Sequence, residues 1–128
     1  MPLLLDTHVF LWFVEGHSQL SENARSRIED TTNDLFLSMC SLWEMAIKVS
    51  LGKLVLPKPV GEFIQEQLDF SAIALLDIRP PHVFAVADLP FHHRDPFDRL
   101  LGAQCLCEGM TLVSSDEIFD RYPIDRTW

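Results

Sequence analysis

Residues 2–16 read PLLLDTHVFLWFVEG, and the opening apolar run decides what kind of sheet this chain builds. Leu3, Leu4 and Leu5 follow one another without alternation, so both faces of an extended segment here are apolar. A strand with one wet face alternates apolar and polar residues; a strand covered on both faces does not, and such strands belong to parallel sheets between layers of helix. Asp6 ends the run, and THVFLWFVE then reads as a helix stopped near Gly16. Its apolar residues go almost all the way round, which predicts burial against the core with a face left for a second chain.

The same strand-then-helix alternation continues outward. SENARSRIED reads as a polar-faced helix with Ser21 as N-cap, and DLFLSM as a second buried strand. SLWEMAIKVSLGKL predicts a helix from Ser41 with Gly52 as its left-handed stop, and LPKPVGEFIQEQLDF a helix entered through prolines. AIALLDI is a third strand, and PPHVFAVADL a short helix with proline in its first turn. DPFDRLLGAQCLCEG places Asp95 at the N-cap, Pro96 at the first helical position and Gly109 at the stop. MTLVSSD is a fourth strand, EIFDRY a helical turn, and PIDRTW an edge strand. The pattern predicts one domain over residues 1–128, a three-layer α/β/α sandwich around a mostly parallel sheet, with right-handed crossovers.

The chain is long enough, and at 48% apolar residues rich enough, to build its own core. No apolar run reaches membrane-spanning length, and the N-terminus lacks the basic segment of a secretion signal. Cys40, Cys105 and Cys107 read as buried small apolar residues of a cytoplasmic protein. The net charge of −9 argues against nonspecific nucleic-acid binding, which runs on lysine and arginine. It fits a protein that gathers carboxylates for cations or meets a basic partner, and equally one whose acidity serves solubility.

In a parallel sheet, ligands sit outside the carboxyl ends of the strands. Asp6 ends the first strand and Asp116 the fourth, while Glu44 and Asp98 are expected in the first turns of helices on that same rim. Each acid has an ordinary role when taken alone. Ser41-x-x-Glu44 fits a capping box, Glu44 precedes Lys48 by one helical turn, Asp95 caps, Asp98 complements a helix dipole, and Asp6 and Asp116 can cap the helices after them. Capping does not require that separate elements deliver their acids to one rim. Carboxylates crowded into one cleft need a cation to stay ionised together, and an all-oxygen set suits Mg²⁺ or Mn²⁺ better than zinc. Such a cation points to phosphodiester chemistry, with Arg94 and Arg99 available to substrate phosphate.

LLLDTHVFLW, SLWEMAIKVSLGKL, HHRDPFDRLLGAQ and TLVSSDEIFDRY resemble the successive motifs of PIN-domain nucleases, most nearly the VapC-like toxins of bacterial toxin–antitoxin pairs. The resemblance spans nearly the whole chain, in order and spacing. It implies a Mg²⁺- or Mn²⁺-dependent endoribonuclease that leaves a 3′-hydroxyl and a 5′-phosphate. It implies that Asp6, Glu44, Asp98 and Asp116 are the catalytic, metal-holding acids. Ser114 stands where the family often has threonine and keeps a hydroxyl for the substrate; Thr7 and Asp95 are expected to brace the ligating acids. The resemblance also implies a homodimer and a small antitoxin that covers the site, and an acidic toxin suits a partner that inserts a basic side chain.

His8, His92 and His93 are read first as structural hydrogen-bonders, and Trp12, Phe13 and Trp43 as core or dimer packing. Two other functions remain in view. A phosphoryl-transfer or receiver-like domain would use an aspartate after the first strand, but Asp6-Thr7-His8 lacks an Asp-x-Asp and no lysine follows a late strand. A PIN fold that only grips a partner, without turnover, is the other; the presence of all four acids argues against it.

Overall fold

Burial on both faces puts the first strand at the centre of the sheet. In the computed structural model, which describes residues 1–128, the order is β1 (Pro2–Leu5), α1 (Thr7–Glu15), α2 (Glu22–Glu29), β2 (Asp34–Ser38), α3 (Met39–Ser50), α4 (Val60–Ser71), β3 (Ile73–Leu76), α5 (Pro80–Asp88), α6 (Pro96–Glu108), β4 (Thr111–Val113), a 3₁₀ turn (Glu117–Arg121) and β5 (Asp125–Thr127). The strands lie in the order β3-β2-β1-β4-β5. Every pairing is parallel, so the sheet is wholly rather than mostly so.

Alternate residues of one strand feed different layers. Leu3 and Leu5 of β1 join Leu35, Leu37 and Val113 in a core with Phe10, Ile28, Met45 and Phe63, on the side of α1 to α4. Leu4, pointing the other way, packs with Leu101, Leu112, Phe119 and Tyr122 beneath α6. This is the expected α/β/α sandwich. No helix is long and apolar enough to cross a membrane.

Local chemistry sets the helix ends. Ser21 Oγ accepts from the Ala24 N–H at 3.0 Å, and Asp95 Oδ1 accepts from the N–H groups of Phe97 (2.8 Å) and Asp98 (3.3 Å). Gly16 and Gly109 take left-handed φ of 65° and 64° at the ends of α1 and α6, where a side chain would be strained. The start of α3 corrects the sequence reading. β2 runs into this helix without a loop, and Ser38, not Ser41, is the N-cap, its hydroxyl accepting from the Cys40 N–H at 3.0 Å. The capping box between Ser41 and Glu44 is therefore absent, and both residues lie inside the helix. The Ser38 hydroxyl also donates to Gln104 of α6, tying the helix start to the opposite layer.

Cys40 and Cys105 are buried as expected, and burial pushes both thiols up to about 12, which leaves them unreactive. Cys107 departs from the expectation: it lies on the outer face of α6, exposed. Leu4 is fully enclosed, so Leu4→Ala is expected to cost about 2–5 kcal/mol in urea unfolding. A cost well under about 1 kcal/mol would mean that the α6 face is loosely packed.

Candidate metal centre

Connections run from β1 outward to β2 and β3 on one side, and return to β4 and β5 on the other. The strands run parallel throughout, but the direction in which they are added across the sheet reverses between β1 and β4, which makes the carboxyl ends of these two strands the switch point where such sheets open a crevice. Asp6 follows β1 and Ser114 follows β4, and the Ser114 hydroxyl donates to Asp6 Oδ2 at 2.7 Å. A cleft of about 390 Å³ opens here, lined by Asp6, Glu44, Asp98 and Asp116 together with Asp95, Ser115, His8, Val9, Trp12 and Lys48. The four acids expected on one rim thus share one cavity.

Each is held by its own element. Glu44 projects from α3; its Oε1 accepts from the Thr7 hydroxyl at 2.8 Å and its Oε2 pairs with Lys48 Nζ at 2.9 Å. Thr7 Oγ1 also lies 2.8 Å from the buried Ser41 hydroxyl, so a residue expected as a helix cap instead closes a chain of hydroxyls under the cleft. Asp98 sits in the first turn of α6, where its neighbour Asp95 does the capping. Asp116 caps the 3₁₀ turn, Oδ1 accepting from the Ile118 N–H at 3.0 Å. Its backbone N–H donates to Ser114 Oγ at 3.1 Å, so Ser114 links Asp6 to the segment that carries Asp116.

The electrostatics are those of an anionic cavity. Burial, and then the nearby carboxylates of Asp6 and Asp95, push Asp98 up to about 7. Burial also raises Asp6, against the Ser114 hydrogen bond and the nearby His8 that favour its ionised form. The donor set is carboxylate oxygen from four elements, the set a hard divalent cation prefers, and the strain on Asp6 and Asp98 is of the kind a cation relieves. The residues present fit such an ion.

Three expected substrate contacts fare differently. Arg94 is exposed on the loop before α6. Arg99 is not available: its guanidinium is buried and donates to the carbonyls of Val86, Leu89 and Pro90 at 3.0–3.2 Å, over the Phe91 ring. The carbonyl end of α5 attracts the cation inward. Ser114 is also fully buried, and its hydroxyl is spent on Asp6 and Asp116 rather than free for a substrate. Sequence reasoning missed Lys48 as part of the cleft, and read His93 as a structural hydrogen-bonder without naming its partner. Lys48 was visible only as a helical ion-pair partner of Glu44. His93, buried, places Nε2 2.7 Å from Asp116 Oδ2, and its ring nitrogen and the carboxylates of Asp98 and Asp116 lie within 4.8 Å of one another.

The raised acids give the metal-free protein a pH dependence. An acid whose pKa is higher in the folded state holds its proton there while the unfolded chain has lost it, so its stabilising effect is complete at low pH and is lost as pH rises through the folded value. The melting temperature of the metal-free protein is expected to fall as pH rises from about 4 to about 7. Asp98→Asn should flatten the profile, and Mg²⁺ should raise the melting temperature most at the alkaline end. A wild-type profile no steeper than that of Asp98→Asn would remove Asp98 as the strained group.

The sequence profile of the PIN domain matches residues 3–125. Ribonuclease VapC16 of Mycobacterium tuberculosis (strain ATCC 25618 / H37Rv) is 30% identical over 70 residues, 52% of this chain and 50% of that protein, so the match spans about half the length of the relative. Among solved structures, the chain is similar to DNA-bound VapBC from Salmonella typhimurium, with a TM-score of 0.74 and 17% identity over 99% of this chain and 97% of that one. It is also similar to VapBC2 from Rickettsia felis bound to a DNA fragment from their promoter, with a TM-score of 0.71 and 21% identity over 99% and 98%. At these identities the structural likeness establishes the fold. With the profile match covering nearly every element described above, the chain belongs to the PIN-domain family.

Proposed function

We propose that the protein is a divalent-metal-dependent endoribonuclease and the toxin of a toxin–antitoxin pair. The observation that carries this reading is the delivery of Asp6, Glu44, Asp98 and Asp116, from four different elements, into one cleft at the switch point of the sheet. The name of the ribonuclease relative, and of the VapBC complexes that share the fold, supports it. Family membership leaves no place for the receiver-like alternative.

In this reading Asp6, Asp98, Glu44 and Asp116 hold Mg²⁺ or Mn²⁺. The cation, when bound, supplies Lewis acidity for attack of water on a phosphodiester and for departure of the 3′-oxygen. The protein's part is positional. Ser114 fixes Asp6, Thr7 fixes Glu44, and Asp95 holds the first turn of α6 so that Asp98 faces the cleft. Lys48 keeps a positive charge on the cleft wall, and Arg94 stands free for RNA phosphate. The acidic cleft and net charge of −9 suit an antitoxin that places a basic side chain in the site. A cytoplasmic homodimer completes the proposal: on α5 and the loop after it, Val83, Phe84 and Phe91 are 52%, 70% and 85% exposed, an apolar surface that a second copy would cover.

Incubation of the full chain with total cellular RNA and Mg²⁺, followed by mapping of new 5′-phosphate ends, tests the activity. Discrete ends are expected, lost with EDTA and reduced at least about 100-fold by Asp98→Asn, since even groups that only orient a metal ligand are worth about 10–100-fold. Intact metal binding with no new ends on any RNA would favour a silent binding module. For the dimer, light scattering after gel filtration is expected to give twice the chain mass, and half that for Phe84→Glu. A wild-type chain of monomer mass would remove the interface.

A further inference from the structure

We infer that His93 is a positioning residue of this centre, whose imidazole orients the Asp116 carboxylate toward a divalent cation; the inference rests on the metal-site reading above. His93 lies on the loop between α5 and α6, and Asp116 lies just past β4, so the contact bridges two elements. The ring is almost wholly buried, and Nε2 is 2.7 Å from Asp116 Oδ2. Nε2 must carry a hydrogen there, because an unprotonated nitrogen would face a carboxylate lone pair to lone pair.

The far side of the ring is fixed as firmly. Nδ1 lies 3.0 Å from the Tyr122 hydroxyl, and that hydroxyl also accepts from the His93 backbone N–H at 3.1 Å. The Tyr122 ring lies parallel to the imidazole, 6° between planes at 5.6 Å, and Phe119 packs at 4.4 Å. Both aromatics are buried. The imidazole therefore has one available orientation, and in it the Nε2–H points at Asp116. Asp116 Oδ1 is held by the Ile118 N–H, so with His93 both oxygens are directed by the protein. The neighbouring histidines have no such arrangement: His8 is exposed, and His92 only meets Tyr122 edge-on at 5.0 Å. Groups that donate to a ligating carboxylate set its orientation, and their loss costs about 10–100-fold in metal affinity.

Two substitutions separate orientation from packing. A glutamine amide reaches the place of Nε2 and keeps a donor to Asp116. An asparagine amide reaches only the place of Nδ1 and keeps the acceptor for Tyr122. Calorimetric titration of the full chain with Mn²⁺ and with Mg²⁺, alongside melting temperatures, is the measurement. His93→Gln is expected to bind close to wild type, and His93→Asn about 10–100-fold more weakly, at similar melting temperatures. Equal affinity in wild type and His93→Asn would overturn the inference and leave the metal centre standing. Equal losses in both variants, tracking a common fall in melting temperature, would reduce His93 to a packing role and also overturn it. A ¹⁴N coupling in the electron spin echo of the Mn²⁺-loaded protein, absent in His93→Gln, would make His93 a ligand instead. A wild-type chain that binds neither cation would end the metal reading and this inference with it.

Discussion

A strand with water on neither face can be satisfied only between two layers, and β1 is such a strand. Its three leucines are fully enclosed, two in the core under α1 to α4 and one in the core under α6. That constraint fixes the rest. Parallel neighbours on both sides require crossovers, the crossovers supply the two layers, and the reversal of winding beside β1 leaves a crevice that no side chain of the sheet can fill. Asp6 stands at that crevice because it is the residue that follows the third leucine.

The same geometry creates an electrostatic liability. Acids from strand ends and helix starts face one another where burial has removed much of the water that would screen them. The protein offsets this only in part: Lys48 answers Glu44, Ser114 answers Asp6, and Asp98 is left with its carboxyl raised to about 7. Repulsion of this kind is a stability cost that a bound cation would turn into affinity.

The layers, the parallel sheet and the rim that carries the four acids were legible because each rests on a local pattern: an unalternated apolar run, a helix cap, a glycine stop; Glu44 alone falls in the second turn of its helix rather than the expected first. Where two local signals compete, the sequence is mute. Ser41 is a sound cap by its local pattern, but the helix is capped three residues earlier, at Ser38, because β2 ends there, paired with Leu76 of β3. Arg99 looked like a phosphate contact because it adjoins Asp98, but its side chain points one helical face away, to the carbonyl end of α5. Which of His92 and His93 turns inward depends on Tyr122, 29 residues later for His93. Contacts of that range leave no mark in a short motif.

Residues separated by most of the chain must meet before the cleft exists. The hydrogen bond from Ser114 to Asp6 joins positions 108 apart, and β4 must slot in beside β1 to make it. During synthesis Asp6 emerges well before Asp116. A nascent chain therefore carries three of the four acids with no strand to hold them against the fourth. The complete cleft appears only once β4 and the turn after it have left the ribosome, so products of an interrupted synthesis lack it.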